Sequence, residues 1–413
     1  MDVRRPIWIH RVRAQGAEAF ALLFALESLA RALIVSIIPV EALHLLGNAQ
    51  RVSTLFFLVA IFGILATLTV PWMVRKTARR WIYSLGALCL ASAPLVMWEG
   101  SLSALALGMT LRVIGVVTLT VCLSLYILDH VARHAFNRSE PMRIFYSATA
   151  WMVGPALGAW LSTRFGLWAA YLASSLAVLS LLAYFWFLRI RDVAPLTSFR
   201  SHSVGPLAHL ARFRRQPRLV LAWTAAVGRY MWWVMFFVYV PIYVVAAGYG
   251  QMAAGLLVSA GSGLLFFLPL FGLYVRQHGI RRVMIAGFTL SGAFTLLFAL
   301  ATPLPWMALA LVLAATLAMV SLDAVSNLPF MLAVRRHERA EMTAVYSTYR
   351  DVGEIGAPGV FALLLKFFAL PVVFAVTGAA MLGLAALSKS VHPRLGRVAP
   401  RPVEPVRLGT EAA

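Results

Sequence analysis

The chain is poor in charged residues and in cysteine. Asp, Glu, Lys and Arg make up 12% of its 413 residues, whereas hydrophobic residues make up 61%. A soluble protein of this size could not bury so much apolar side chain, so the composition excludes a soluble globular domain. The two cysteines, Cys89 and Cys122, both fall within apolar runs, which favours a packing role over disulfide or thiol chemistry.

Motifs for catalysis are lacking as well. No phosphate-binding loop, nucleophile elbow or zinc motif can be read, so we expect no ATP-driven transport, no enzyme and no cofactor or metal. Acidic residues are scarce, since 15 Asp and Glu stand against 36 Lys and Arg and give a net charge of +21. In a soluble protein this excess would suggest a nucleic-acid partner, but its positions point to membrane lipid and to no nucleic acid.

The apolar residues form twelve segments, each near the ~20 residues that a membrane-spanning helix needs. These segments, called spans 1 to 12, are predicted at 18–40, 52–74, 81–98, 102–128, 144–163, 167–188, 219–247, 252–275, 282–301, 304–332, 342–365 and 368–388. The sequence therefore predicts an all-α integral membrane protein with twelve transmembrane helices.

The basic residues alternate strictly between the two sides of these spans. Twenty-nine Lys and Arg flank one side, and only Arg51, Arg164 and Lys366 flank the other. The positive-inside rule places both termini in the cytoplasm. The first apolar run is too long for a cleavable signal peptide, so we expect a multi-pass protein of the bacterial inner membrane.

The chain is predicted to consist of two related halves. The longest linker separates six spans from six, and the halves match at an offset of about 200 residues, where Tyr146-Ser147 corresponds to Tyr346-Ser347. We predict a cytoplasmic N-terminus at 1–17, six-helix bundles at 18–188 and 219–388, a cytoplasmic linker at 189–218, and a disordered tail at 389–413. Two pseudo-symmetric bundles around a central cavity are a known transporter plan.

Three motifs carry a resemblance to a known family. The loop after span 2 resembles the signature G-x-x-x-D-R-x-G-R-R at Arg79-Arg80, although Arg75 replaces its acid. The segment around Arg112 resembles L-x-x-x-R-x-x-x-G, with the glycine one position early. In span 5, Gly154-Pro155-Ala156-Leu157-Gly158 resembles the G-P-x-x-G pattern of proton-coupled exporters.

Together with the 6+6 repeat, these motifs resemble the Major Facilitator Superfamily over about residues 17–390. The resemblance implies that spans 1, 4, 7 and 10 line a central cavity. The loop after span 8, with Arg276 and Arg281, repeats the basic loop after span 2.

Eight ionisable residues lie deep inside the predicted spans. They are Glu27, Arg31, Arg112, Arg229, Asp323, Arg350, Asp351 and Glu354. At about 1.5 Å per residue, all fall within roughly 12–24 Å of the cytoplasmic edge of a hydrocarbon core about 30 Å thick. A charge facing lipid is costly, so we expect these residues to face a polar cavity.

Two spacings suggest ion pairs that take part in proton coupling. Glu27 and Arg31 are four residues apart and share a helix face, and so do Arg350 and Glu354. In the functional interpretation, the guanidinium holds a carboxylate that binds and releases a proton. The alternative is a permanent salt bridge that only joins helices.

The remaining charged residues are candidates for coupling or substrate binding. Asp323 has no partner close in sequence, and we expect it or Glu27 to titrate during transport, with Asp351 a further candidate. Arg112 and Arg229 either anchor an anionic substrate or balance these acids.

Aromatic side chains cluster at the same depth. Tyr146, Trp151, Tyr230 and Trp233 are candidates for an organic-ligand pocket, and the alternative is ordinary helix packing.

The favoured function is proton-coupled export of a small organic molecule by a monomeric secondary transporter, with export resting on the Gly-Pro pattern of span 5. A second hypothesis is uptake of an anionic metabolite or siderophore-like ligand, whose carboxylates or phosphates the arginines would hold. A third is a non-transporting receptor or assembly factor on a transporter scaffold, against which the eight buried charges argue.

The inverted loop charge suggests a latch between the halves. Arg75 and Arg276 are basic, whereas Glu140 precedes span 5 and Glu338 and Glu341 precede span 11. We predict that Arg75 pairs with Glu338 or Glu341, and Arg276 with Glu140. The alternative is that both arginines contact only lipid phosphates.

Reporter fusions test the predicted topology. Fusions near residues 100 and 303 should read as external, and one near residue 205 as cytoplasmic, because basic residues surround only the last. An external signal at 205 would contradict the orientation.

Overall fold

The computed structural model describes residues 17–130, 136–188, 206–325, 327–334 and 338–391. Every regular element among these residues is a helix. In the first half, span 1 is Ala17–Leu33 with Ile37–Leu46, span 2 is Ala49–Lys76, span 3 is Arg79–Met97, span 4 is Leu102–His130, span 5 is Phe136–Phe165, and span 6 is Leu167–Phe187.

The second half repeats this series. A short helix, Pro206–Arg214, lies in the linker. Span 7 is Pro217–Ala246, span 8 is Gly250–Gly263, Leu264–Phe267 and Leu268–His278, span 9 is Ile280–Leu300, span 10 is Pro305–Val325 with Leu328–Ala333, span 11 is Arg339–Ser347 with Tyr349–Leu364, and span 12 is Pro371–Ser388. The predicted all-α fold is confirmed.

Ten of the twelve spans are long and apolar enough to cross a membrane by composition alone. The exceptions within the described residues are spans 5 and 11, which carry charged residues along their first halves, such as Arg143 and Glu341. Such residues can lie at the membrane surface or face the protein interior, so the helices still fit a twelve-helix bundle.

Four spans that the sequence predicts as continuous, spans 1, 8, 10 and 11, are divided into shorter helices, and proline explains the divisions in spans 1 and 8. Span 1 turns at 34–36, and span 8 narrows to a 3-10 helix at Leu264–Phe267. Pro39 follows Val35 by four residues, and Pro269 follows Leu265 by four. A proline provides no N–H for the carbonyl four residues earlier and clashes with it, which bends the helix at that point.

The packing of helices repeats between the halves. Span 1 packs on spans 5 and 6, span 3 on spans 4 and 6, and span 2 on span 4. In the second half, span 7 packs on spans 11 and 12, span 9 on spans 10 and 12, and span 8 on span 10. Span 2 also packs on span 11, and span 5 on span 8, so the interface between the halves has the same twofold relation.

The two ends of the bundle differ in how the halves meet. We call the end that carries Lys76, Arg79 and the linker the basic end, and the other the opposite end. At the opposite end one apolar core runs through both halves, joining Ile37 and Ile38 to Tyr239. Ser53 Oγ and Tyr239 Oη are hydrogen-bonded across this junction at 2.7 Å.

At the basic end, each half has its own core. In the first half Tyr83 and Phe185 belong to a cluster drawn only from spans 1, 2, 3, 4 and 6. In the second half Phe213, Tyr346 and Tyr349 belong to a cluster drawn only from the linker helix and spans 7, 10 and 11. Among the described residues, the shared core therefore joins the two halves only at the opposite end. Within the second half it continues to Val275 and Met284 at the basic end, but it includes no residue from the basic end of the first half.

Glycines allow the close packing at the opposite end. A Cβ on Gly158 of span 5 would lie 1.7 Å from the backbone oxygen of Leu33 in span 1. Between the halves, a Cβ on Gly255 of span 8 would lie 2.6 Å from the Pro155 oxygen. The amide of Ala156 donates to Ser259 Oγ of span 8 at 2.8 Å. The Gly-Pro pattern of span 5 thus has a packing role, as small residues commonly have between membrane helices.

Replacing Gly158 with Ala tests this contact. The added methyl group would force the backbones of spans 5 and 1 apart, and overpacking of this kind costs about 1–3 kcal/mol. The control Gly272→Ala has open space around the new Cβ. Thermal unfolding of the purified protein should show a lower Tm for Gly158→Ala only. Equal Tm values for the two variants would contradict the close packing.

Candidate functional site

The eight charged residues lie on five helices around the junction of the two halves. Glu27 and Arg31 are on span 1, Arg112 on span 4, Arg229 on span 7, Asp323 on span 10, and Arg350, Asp351 and Glu354 on span 11. Four of them form two ion pairs, Glu27 with Arg31 and Arg229 with Asp323. The other four form no ion pair within the described part of the chain.

Glu27 is sealed inside the first half and contacts Arg31. Its exposure is 1%, and its Oε1 lies 3.4 Å from Arg31 Nη1. Arg31 extends outward, with 29% of its side chain exposed and its Cζ 5.7 Å from the centre of the Trp151 ring. Its Nε is buried and makes no hydrogen bond within the described part. The single long contact leaves most of this guanidinium available to a ligand.

Arg112 has no carboxylate partner among the described residues. Its Nε is buried and makes no hydrogen bond there. The charges within electrostatic range are Arg31 of the same half and Glu354 of the other half. An unpaired guanidinium beside a second guanidinium favours binding of an anion, because an anion would relieve their repulsion.

Arg229 and Asp323 form a buried pair in the second half. The Nη1 of Arg229 donates to Oδ1 of Asp323, and each side chain is 14% exposed. The other oxygen, Oδ2, accepts a hydrogen bond of 3.1 Å from Trp233 Nε1. Because both carboxylate oxygens are satisfied, this arrangement favours a structural ion pair over an anchor for substrate.

Span 11 differs from the prediction of an Arg350–Glu354 pair. Glu354 accepts a hydrogen bond from the hydroxyl of Tyr230 on span 7, and Arg350 Nε donates to Tyr349 Oη at 3.1 Å. The spacing of four residues brings side chains to one face, but tyrosines from outside that face compete for both groups. Asp351 is half-buried and has no ion pair within the described part of the chain.

The structure brings only some of the four predicted pocket aromatics together, and a ligand pocket among them stays a prediction. Trp151 of span 5 and Trp233 of span 7 both lie against Phe237, with ring centres 5.0 and 5.5 Å apart. Tyr230 is placed at the charged layer by its contact with Glu354. Tyr146 packs against Phe145 and shares no ring contact with the other three.

The latch residues are described only in part. The side chains of Arg75 and Glu140 lie outside the described residues, so the two predicted latch pairs remain predictions. Arg212 of the linker helix contacts Glu338 at 4.0 Å and Glu341 at 3.6 Å. The linker thus contacts the start of span 11, which the sequence does not predict.

The other loop residues lie at the basic end. Arg79 is buried, Arg80 and Arg276 are exposed, and Arg281 is half-buried. A further contact that the sequence does not predict is at the opposite end, where the hydroxyl of Tyr171 donates to buried Glu41. Glu41 lies at the end of an apolar run, where acids usually reach the membrane surface, so no local signal marks it.

We call the eight charged residues at the junction the charged layer. Two six-helix bundles that enclose such a layer define a polytopic membrane transporter. The family model of the Major Facilitator Superfamily matches residues 20–358, and the chain belongs to this family. No curated protein matches the sequence.

Solved structures confirm the fold. A peptide transporter POT in complex with sulfate has 11% identity and a TM-score of 0.75, covering 95% of this chain and 96% of that chain. A D-xylose-proton symporter has 13% identity and a TM-score of 0.73, covering 94% and 100%. The nucleoside transporter NupG has 13% identity and a TM-score of 0.69, covering 90% and 98%. At such low identity these likenesses concern the fold alone.

A double-mutant comparison tests the structural role of the Arg229–Asp323 pair. Asp323→Asn leaves a buried guanidinium unpaired and should lower the free energy of unfolding by roughly 3–5 kcal/mol. Adding Arg229→Gln should recover part of this loss, because no buried charge remains. The control Glu341→Gln affects a more exposed contact with Arg212 and should cost less than about 1 kcal/mol. Thermal unfolding in detergent measures all three, and equal losses in Asp323→Asn and Glu341→Gln would contradict the assignment.

Proposed function

We propose that the chain is a proton-coupled secondary transporter that takes up a small organic molecule bearing a carboxylate. The observation that carries this proposal is the contact of sealed Glu27 with Arg31, next to unpaired Arg112. It favours the uptake hypothesis over export.

Alternating access is supported by the difference between the two ends. The halves share one core at the opposite end and have separate cores at the basic end. With the basic end in the cytoplasm, as the positive-inside rule predicts, the charged layer would be reached from the cytoplasm. Closing the basic end and separating the halves at the opposite end would expose the charged layer to the other side.

Proton coupling follows from competition for Arg31. While Glu27 is ionised, it holds Arg31. A proton on Glu27 cancels that attraction, and Arg31 and Arg112 together can then bind one carboxylate. Binding of the proton and of the anion therefore strengthen each other, and this coupling is reciprocal. Ligands that bind cooperatively are carried together, so the inward proton gradient would drive uptake.

Export is the second candidate, and the G-P-x-x-G resemblance of span 5 is what favours it. In antiport, substrate and proton compete for one site, so a lower pH would weaken substrate binding. Span 5 packs closely on span 1 at Gly158 and on Gly255 of span 8 at Pro155. This packing explains the Gly-Pro pattern of span 5 whether the protein exports or takes up its substrate. A D-xylose-proton symporter with the same fold indicates that this architecture is compatible with cotransport.

Binding as a function of pH separates the two candidates. The probe is 3-phenylpropanoate, an aromatic carboxylate that suits the Trp151–Phe237–Trp233 cluster. In the wild type its Kd should fall as pH is lowered, because protonated Glu27 releases Arg31. Glu27→Gln imitates the protonated residue, so its binding should be tight and independent of pH. Proton-driven uptake into proteoliposomes should be lost in this variant, while exchange persists.

Glu99→Gln removes an exposed acid at the opposite end and should keep the wild-type pH dependence. The other charged groups in range of Glu27 are Arg143 of span 5 and, on ionisation, Tyr83 of span 3. If Glu27→Gln keeps the pH dependence, a group other than Glu27 is responsible. Weaker wild-type binding at low pH would favour export, and no binding of the probe would contradict the substrate class.

A further inference from the structure

The charged layer is neutral overall but divided in sign between the halves. The first half contributes one carboxylate, Glu27, and two guanidiniums, Arg31 and Arg112, which leaves one positive charge. The second half contributes two guanidiniums and three carboxylates, which leaves one negative charge; these are Arg229, Asp323, Arg350, Asp351 and Glu354. Whether or not Glu27 carries a proton, the second half keeps one negative charge in excess, and a purely anionic substrate brings no group that could compensate it.

Glu354 is the carboxylate that faces the unpaired guanidinium. Its described partner is the neutral hydroxyl of Tyr230, and its side chain is exposed to the space between the halves. The Tyr230 hydroxyl lies within electrostatic range of Arg31, and Arg112 within range of Glu354, so these groups of the two halves interact across the junction. Arg350, which could have neutralised Glu354, donates to Tyr349 instead.

The rings around Glu354 also suit a cation. Tyr230 contacts the carboxylate through its hydroxyl and packs edge to face with Tyr349, with ring centres 6.3 Å apart. The Arg350 guanidinium already lies 5.6 Å from the centre of the Tyr349 ring, so Tyr230 is the ring offered to a ligand cation. An ammonium group gains from a carboxylate and from the face of a tyrosine ring, and both effects strengthen where water is partly excluded.

We propose that the substrate is a zwitterion, with its carboxylate bound by Arg31 and Arg112 of the first half and its ammonium bound by Glu354 and Tyr230 of the second. This inference rests on the proposed function and adds the second binding group. A ligand held at both ends bridges the two halves, so its binding energy favours the state in which they close around it. A ligand held only by the first half would give no such preference.

The experiment compares matched ligands that differ only in charge. The zwitterions are phenylalanine, whose charged groups are adjacent, and 4-(aminomethyl)benzoate, whose charged groups lie on opposite sides of a ring. Each is paired with its N-acetyl derivative, which lacks the ammonium, and its carboxamide, which lacks the carboxylate. Binding to the purified full chain is measured by thermal shift and calorimetry at one pH.

In the wild type, at least one zwitterion should bind about tenfold or more tightly than its N-acetyl derivative, and the carboxamide should not bind. Tenfold corresponds to about 1.4 kcal/mol. In Glu354→Gln, the zwitterion and its N-acetyl derivative should bind equally. Glu354→Asp keeps the charge and should restore part of the preference, and Glu99→Gln should keep all of it. Arg112→Gln should abolish binding of both ligands, and unfolding curves confirm that each variant is folded.

The outcomes distinguish this inference from the proposed function. If the N-acetyl derivative binds as tightly as the zwitterion in the wild type, while Arg112 remains necessary, the zwitterion is wrong and the carboxylate anchor stands. A preference that survives Glu354→Gln also overturns the assignment of the ammonium site. If no carboxylate ligand binds, or binding survives Arg112→Gln, the proposed function and this inference fail together.

Discussion

The cost of an uncompensated charge in an apolar medium governs the whole arrangement. Arg229 and Asp323 satisfy each other, and Trp233 satisfies the remaining oxygen, so they can stay buried. Glu27 is buried because Arg31 reaches it. These pairs leave over Arg112, Arg350, Asp351 and Glu354. Of these four, Arg112 and Asp351 are half-buried, whereas Arg350 and Glu354 are exposed.

The same constraint connects the site to the cycle. Since the charged groups cannot face lipid, they are expected to face the interior of the bundle, and in the proposed cycle the space around them opens to one side at a time. Close backbone contacts such as Gly158 against Leu33 and Gly255 against Pro155 join helices tightly at the opposite end. The separate cores of the basic end leave room for rearrangement there. We expect substrate that bridges the halves to shift this balance, since it binds the two states differently.

Much of this architecture could be predicted from the sequence because membrane insertion imposes simple rules. Apolar runs give the number of spans, and the repeat at Tyr146 and Tyr346 indicates two halves. Local spacing predicted that Glu27 and Arg31 would share a face, and they lie in contact. The same spacing does not bring Arg350 and Glu354 into an ion pair, because Glu354 accepts a hydrogen bond from Tyr230, which is distant in sequence and close in space. Arg212 was missed as a partner of span 11, since nothing local joins a linker residue to Glu338 or Glu341.

The sequence by itself determined the helical class, the twofold repeat and the position of each charge along its helix, because these depend on composition and on a rise of about 1.5 Å per residue along one helix. Only the tertiary structure decided which charges are paired and which remain available. The sequence of a helix does not fix which of its faces turns towards a neighbouring helix. That rotation is set by packing, for example where Gly158 lets the backbone of Leu33 approach closely. That rotation turns Asp323 towards Arg229, and leaves Arg112 without a carboxylate partner among the described residues.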